Sequence, residues 1–450
     1  MKTVNKIFSI LGVSIALGMS SCVGDLDLEP IDPNQITPNR VTLEQIPQIM
    51  AKCYSSLAYS GQTGPDGDSD ISGLDGGTSQ YTRALFMLQE FTTDESKWIW
   101  PDAGVIDLVT NTWGNGNVNI FGTYSRLYTH IGVCNDFLRL VAPENLSSLG
   151  LIPSEEQQAE IEQYKLETRA LRALSYYWAL DLFGNAGFVD ETTANGVPAN
   201  QLTRANLYEW LVGELEELVT AFPDGTPVYG RVGKDGVEAL LARVYLNAEV
   251  YTGTPAYDKC QQHCENIIAR HQGEGFEGKG LVPAYMYLFC ADNDEYMPGG
   301  GGVNEILWGI PQDGVNMQAY GGTMFLCAAG VSNLTMKDNG ADMQAKNYGM
   351  SEQWGCMHAT KQFSEKFDSN DLRWAMWCKA AQGFNIENTN FSAFTDGYGV
   401  VKFTNLLKGN ISDPSQWNIA DNTQNWSTAN GGIYDPAGGA AREMKYPDTD

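Results

Sequence analysis

The sequence is poor in histidine and in basic residues, and it lacks the short motifs that would name a reaction. Only four histidines (130, 263, 271 and 358) are spread over 450 residues, with no HExxH and no paired CxxC. The usual ligand sets of zinc sites are therefore missing. No GxSxG turn raises a nucleophilic serine, and the Gly299–Gly302 run is not followed by a phosphate-loop lysine. Lys and Arg total 28 against 55 Asp and Glu, a formal net charge of −27. Nucleic acids and anionic lipid heads are held by Lys and Arg, so this balance argues against both as ligands. It suits solubility outside a cell. No apolar run reaches the roughly 20 residues that a membrane-crossing helix needs.

The N-terminus carries the clearest address. Lys2 and Lys6 precede an apolar stretch from Ile7 to Met19, and Ser20, Ser21 and Cys22 follow. That is the order of a secretory signal, too short to span a bilayer. Small residues directly before a cysteine are what a bacterial lipoprotein peptidase requires, so residues 1–21 are expected to be removed and Cys22 to be lipidated. Loss of Lys2 and Lys6 leaves 26 basic residues against 55 acidic ones. Such a chain is anchored to a membrane rather than spanning it. The eight remaining cysteines are scattered, several within apolar helical stretches (Cys53, Cys134, Cys260, Cys264). A core this large needs no disulfides, and buried free thiols are expected.

Between about residues 41–60 and 118–271 the apolar spacing is helical. Leu43, Ile46, Met50, Cys53 and Leu57 make one stripe, and Phe121, Tyr124, Tyr128, Ile131 and Leu138 a second. Ser154 and Gln157 have the spacing of a capping box; they open a long helix through Ile161, Leu171 and Trp178 that ends at Gly184. A helix from Asn206 places Leu207, Leu211, Leu215, Leu218 and Phe222 on one side. Val237, Leu241, Val244 and Tyr245 form the next stripe, up to Gly253–Pro255, and Tyr257, Cys260, Cys264, Ile267 and His271 the last. Two helices and a tight turn in roughly 35 residues have the size of a tetratricopeptide unit, so a mainly α superhelix of helical hairpins is expected. Residues 61–117 and 272–450 are rich in Gly, Asn, Asp and Trp and are read as loops. Loops on a rigid scaffold are where ligands usually bind.

The segment Tyr164-Lys-Leu-Glu-Thr-Arg-Ala-Leu-Arg-Ala-Leu-Ser-Tyr-Tyr-Trp-Ala-Leu-Asp-Leu-Phe-Gly184 closely resembles the signature helix of the SusD/RagB family. Further similar stretches follow in the family's order: LDLEP (26–30), TTDE (92–95) ahead of Trp98 and Trp100, GRVGKDGVEALLARVYL (230–246), NEILWGI (304–310) and QAYGGT (318–323). The resemblance implies a SusD-like fold and a lipoprotein on the extracellular face of the outer membrane of a Gram-negative bacterium. It implies capture of a glycan and its delivery to a SusC-type TonB-dependent transporter, with no enzyme activity and no cofactor. Family members continue into a C-terminal helical segment, so these helices are expected to be missing after Asp450 and to leave an exposed apolar face.

Sugars present CH-rich faces that stack on aromatic rings and hydroxyls that need donors and acceptors. Trp98 and Trp100 stand among Asp94, Lys97 and Asp102; Tyr320 stands near Gln318; Trp354 lies between Gln353 and Gly355. One of Trp98 and Trp100 is expected to face solvent and the other to be buried. Similarity to starch-binding members places an aromatic arc on Trp100, Tyr320 and Trp354, with Arg83 as a donor, while Trp178 and Trp210 are read as core. Asp292 and Asp294, before the glycine run, offer hard oxygen ligands for a structural Ca²⁺. Two other functions stay open on the residues alone. One is a glycoside hydrolase, whose two carboxylates a chain with 55 acidic residues could supply; the other is a peptide-binding surface lipoprotein using helix grooves.

Overall fold

The computed structural model describes residues 40–61, 69–74, 76–98, 100–194, 196–271, 280–282, 288 and 293–311, with short pieces between 325 and 380. Ten helices occupy this part: α1 (Ile46–Ser55), α2 (Tyr81–Glu90), α3 (Val105–Val109), α4 (Val118–Leu140), α5 (Pro143–Ser148), α6 (Glu155–Phe183), α7 (Arg204–Ala221), α8 (Lys234–Leu246), α9 (Ala248–Thr252) and α10 (Tyr257–Arg270). Strands are few and short: β1 (Ser96–Trp98), the hairpin β2 (Ala186–Phe188) and β3 (Asn200–Leu202), β4 (Met357–Ala359), which pairs antiparallel with β1, and a small three-stranded sheet of Met336–Asp338, Ala341–Asp342 and Lys379–Ala380. The main helices pack in chain order, α4 on α6, α6 on α7, α7 on α8 and α8 on α10. The mainly α expectation holds. The stretch 61–117, expected as loop, contains two helices, α2 and α3, and α2 packs on α4.

Local chemistry explains the ends of α6. The Ser154 hydroxyl accepts the Gln157 N–H at 3.2 Å, and the Gln157 side chain accepts the Ser154 N–H at 3.0 Å, so two orphan donors are satisfied together. Gly184 stops the helix at φ +71°, where a side chain would be strained. The next cap is three residues ahead of its expected place: Thr203 accepts the Asn206 N–H, and α7 starts at Arg204. Its stripe of Leu207, Leu211, Leu215 and Leu218 is buried as expected.

Two expected stripes hold only in part, for one reason: Ile131, Leu138 and Ile267 are buried as expected, and other members are not. In α4, Phe121 and Tyr124 are exposed, and beside Ile131 and Leu138 the core face carries Thr123, Arg126, Leu127, His130 and Cys134. In α10, Tyr257 and Cys264 are exposed and only Ile267 of the helix is buried. Polar side chains hold these faces. Arg126 reaches Asp70 and Ser79. Glu238 of α8, buried, accepts His263 at 2.8 Å, Asn266 at 2.9 Å and Arg270 at 2.5 Å from α10. A hydrophobic pattern cannot register a face built from satisfied polar groups. Trp178 and Trp210 are half-buried at the edge of the core, while Tyr164, Tyr176 and Tyr177 are the buried aromatics of α6.

His130 sits at the centre of such a network. Its Nδ1 meets the Ser175 hydroxyl at 2.6 Å and its Nε2 the Cys53 carbonyl oxygen at 3.0 Å. Burial, helped by the positive charge of Arg126, pushes its pKa down to about 4. An unfolded histidine titrates near 6.5, so below that pH the unfolded chain takes up a proton that the folded one does not. Stability should therefore fall as pH drops from about 6.5 to about 4, by about 3 kcal/mol from this group. Urea titrations of the chain and of His130→Gln over that range should differ by this slope; parallel curves would contradict it.

Candidate binding site

Beside the main helical core lies a second, aromatic cluster made by α2, β1, α3 and residues Phe325, Ala329, Cys356 and Met357. The TTDE stretch leads into it as a turn. The Thr93 hydroxyl donates to the Glu90 carbonyl oxygen at 2.7 Å and accepts the Glu95 N–H at 3.1 Å. In β1 the side chains do not alternate between core and solvent. Lys97 is buried because its ammonium turns back to the Thr93 carbonyl oxygen at 2.7 Å, and that burial lowers its pKa. Trp98 is buried too, at 2% exposure, with its ring 5.6 Å from those of Phe91 and Phe325. Its indole N–H donates to the Asp102 carboxylate at 2.5 Å.

Trp100 is 40% exposed and meets the edge of Trp98 at 5.9 Å, with the two planes at 77°. The loop that follows is held by α4. Asn117 donates to the Gly104 carbonyl oxygen at 2.8 Å and Asn119 to that of Ala103 at 3.0 Å. Gly104 has φ +73°, and a Cβ there would lie 2.9 Å from the Asn119 amide nitrogen, so only glycine fits. Neither asparagine was singled out from sequence; two Asn residues in GNVN beside a helix start were the available signal. On the neighbouring helix, the guanidinium of half-buried Arg83 lies 4.6 Å from the centre of the Phe325 ring. Half-buried Trp354 packs on the same cluster, its backbone N–H on the Ala328 carbonyl oxygen at 2.8 Å.

The structure thus gathers Arg83, Trp98, Trp100, Asp102 and Trp354 around one aromatic cluster. Trp98 has to be corrected from a ligand contact to a core residue, because its ring is buried against Phe91 and Phe325 and its N–H is engaged by Asp102. Asp102 orients that tryptophan. Tyr320 and Gln318 lie outside the described residues, as does Asp292. Asp294 accepts the Tyr229 hydroxyl at 3.4 Å, and no group of three metal-binding side chains occurs among the described residues. The glycine run has a packing cause: a Cβ on Gly300 would fall 2.2 Å from the Asp294 carbonyl oxygen.

Chemically the corner offers one exposed indole face on an immobile aromatic base, with a guanidinium nearby. The starch-binding protein SusD of Bacteroides thetaiotaomicron is 32% identical to this chain over 374 residues, 82% of this chain and 60% of that protein. The chain belongs to the SusD/RagB family. It spans about 60% of the length of that curated relative. Solved SusD-like structures share the fold. A surface glycan-binding protein A from Bacteroides uniformis matches with a TM-score of 0.55 at 18% identity, over 84% of this chain and 71% of that one. Its namesake from Bacteroides thetaiotaomicron, solved in complex with laminarihexaose, matches with a TM-score of 0.53 at 18% identity, over 82% and 72%. No protein-family model matches the chain.

Proposed function

We propose that this SusD-like chain is a cell-surface glycan-binding lipoprotein that captures a soluble glucan and passes it to a SusC-type transporter. The observation that carries the reading is Trp100: an exposed indole seated edge-on against buried Trp98, on a loop fixed by Asn117 and Asn119. A ring that is already immobile loses little freedom when a sugar stacks on it, which favours binding. Arg83 supplies donors for hydroxyls close to the same cluster. The starch-binding name of the 32%-identical relative and the laminarihexaose complex of a protein with the same fold support a glucan as the ligand class.

Capture without cleavage is the expected chemistry. Titrating the chain with maltoheptaose and with laminarihexaose should give saturable binding to at least one, while the number of reducing ends stays constant over hours. Reducing ends that appear with pure protein and vanish on one Asp or Glu substitution would overturn the binding role. The anchor is tested separately. Cys22→Ser should fold normally and leave the membrane fraction of the producing cell; undiminished detergent-phase partitioning would exclude lipidation at Cys22.

A further inference from the structure

On the helical scaffold, away from the aromatic cluster, α6 and α8 enclose with the 303–311 segment a cleft of about 280 Å³. Its walls are aliphatic: Leu171 and Leu174 from α6, Val237 and Leu240 from α8, and Leu307 above them. Two side-chain donors complete the lining, Trp308 and Arg243, and the lining holds no side-chain acceptor. The indole N–H of Trp308 is buried and meets no acceptor among the described residues. That indole is held in place by Gly236, where a Cβ would lie 3.0 Å from the Trp308 Cβ.

Arg243 is exposed and forms no ion pair among the described residues. Its guanidinium lies by the Tyr177 hydroxyl. Asp181, which also faces Tyr177, accepts the Tyr251 hydroxyl at 2.6 Å. Among the described residues the Arg243 guanidinium has no carboxylate partner, in a chain of net charge −27. A buried donor without an acceptor is unfavourable, and a ligand that supplies the acceptor relieves that cost.

From this lining we infer that the cleft is a peptide-anchor site for the C-terminal residue of a partner protein, with a bulky aliphatic side chain between α6 and α8 and the carboxylate on Arg243. Charge complementarity fixes the acid, and the walls fix the aliphatic group. A sugar is a poor occupant, because its hydroxyl protons would find no side-chain acceptor here. The volume admits one large residue or two small ones and falls below the roughly 300–1,000 Å³ of cofactor-sized pockets. The site is separate from the proposed glycan corner and stands without it.

The test is an NMR titration of the full chain with N-acetylglycylleucine and with its C-terminal amide, following the indole N–H resonance assigned through Trp308→Phe. The free acid should move that resonance saturably at millimolar concentration. The amide, and the acid added to Arg243→Gln, should each bind about tenfold more weakly, a loss of about 1.4 kcal/mol. Arg243 is exposed, so its variant should melt with the parent and keep glucan binding, and Leu174→Phe, which fills the cleft, should abolish the shift. Equal response to acid and amide, or none to either, would overturn the proposal. A shift produced by laminarihexaose would also overturn it, as would one produced by raising the protein concentration alone; these would assign the cleft to sugar or to a second copy.

Discussion

Replacing Glu167 with alanine should lower the unfolding free energy by about 3–5 kcal/mol, the usual cost of leaving one partner of a buried ion pair without the other. Glu167 is 1% exposed on α6. One carboxylate oxygen accepts the Tyr54 hydroxyl of α1 and Arg231 Nε, each at 2.7 Å, and the other pairs with Arg231 Nη2. The Tyr54 hydroxyl in turn accepts the Val232 N–H at 3.0 Å. One carboxylate therefore ties α1, α6 and the GRVG segment that leads into α8. Removing it strands a half-buried guanidinium and frees Tyr54, whose pKa burial holds far above its ordinary value. Urea unfolding of the variant beside the parent measures the effect. A loss under about 1 kcal/mol would mean that water replaces the network at little cost.

The second large effect is expected at Trp98. Trp98→Ala should cost about 3–5 kcal/mol, as truncation of a buried tryptophan leaves a cavity. It would take away the ring packed on Phe91 and Phe325 and the donor that satisfies Asp102. Trp98→Phe should recover part of the packing but leave the Asp102 carboxylate without its indole donor. Thermal melts of the two variants separate these contributions. If Trp98→Ala melted with the parent, the aromatic cluster would not be the rigid base that the binding corner needs.

The sequence made the helices legible where burial is apolar and the ends carry caps. Ser154, Gln157 and Gly184 bound α6 as their chemistry requires, and the leucines of α7 turned inward. α2 went unread because its cap is Gln80, outside the usual Ser, Thr, Asp and Asn set, and because it lies between glycine- and tryptophan-rich stretches. The inner faces of α4 and α10 were legible only at Ile131, Leu138 and Ile267, because Arg126, His130, His263 and Arg270 hold the rest through hydrogen bonds. At the site, the residue types and their neighbourhood were legible, and the choice between Trp98 and Trp100 was not. Strand alternation does not decide it, because residues 98 and 100 would share a face of a strand; β1 ends at Trp98, and the packing of Phe91 and Phe325 on that ring buries it.

One measurement bears most directly on glycan capture at this corner: calorimetric titration of the parent, Trp100→Ala and Arg83→Ala with the glucan that the parent binds, with melting temperatures taken on the same samples. Trp100 is a surface ring, so Trp100→Ala should melt with the parent and lose about 0.5–2 kcal/mol of binding, up to about thirtyfold in affinity. Arg83→Ala should also bind more weakly, through lost hydroxyl contacts. Parent-like affinity in a folded Trp100→Ala protein would contradict the account and move the glycan away from the Trp98–Trp100 corner.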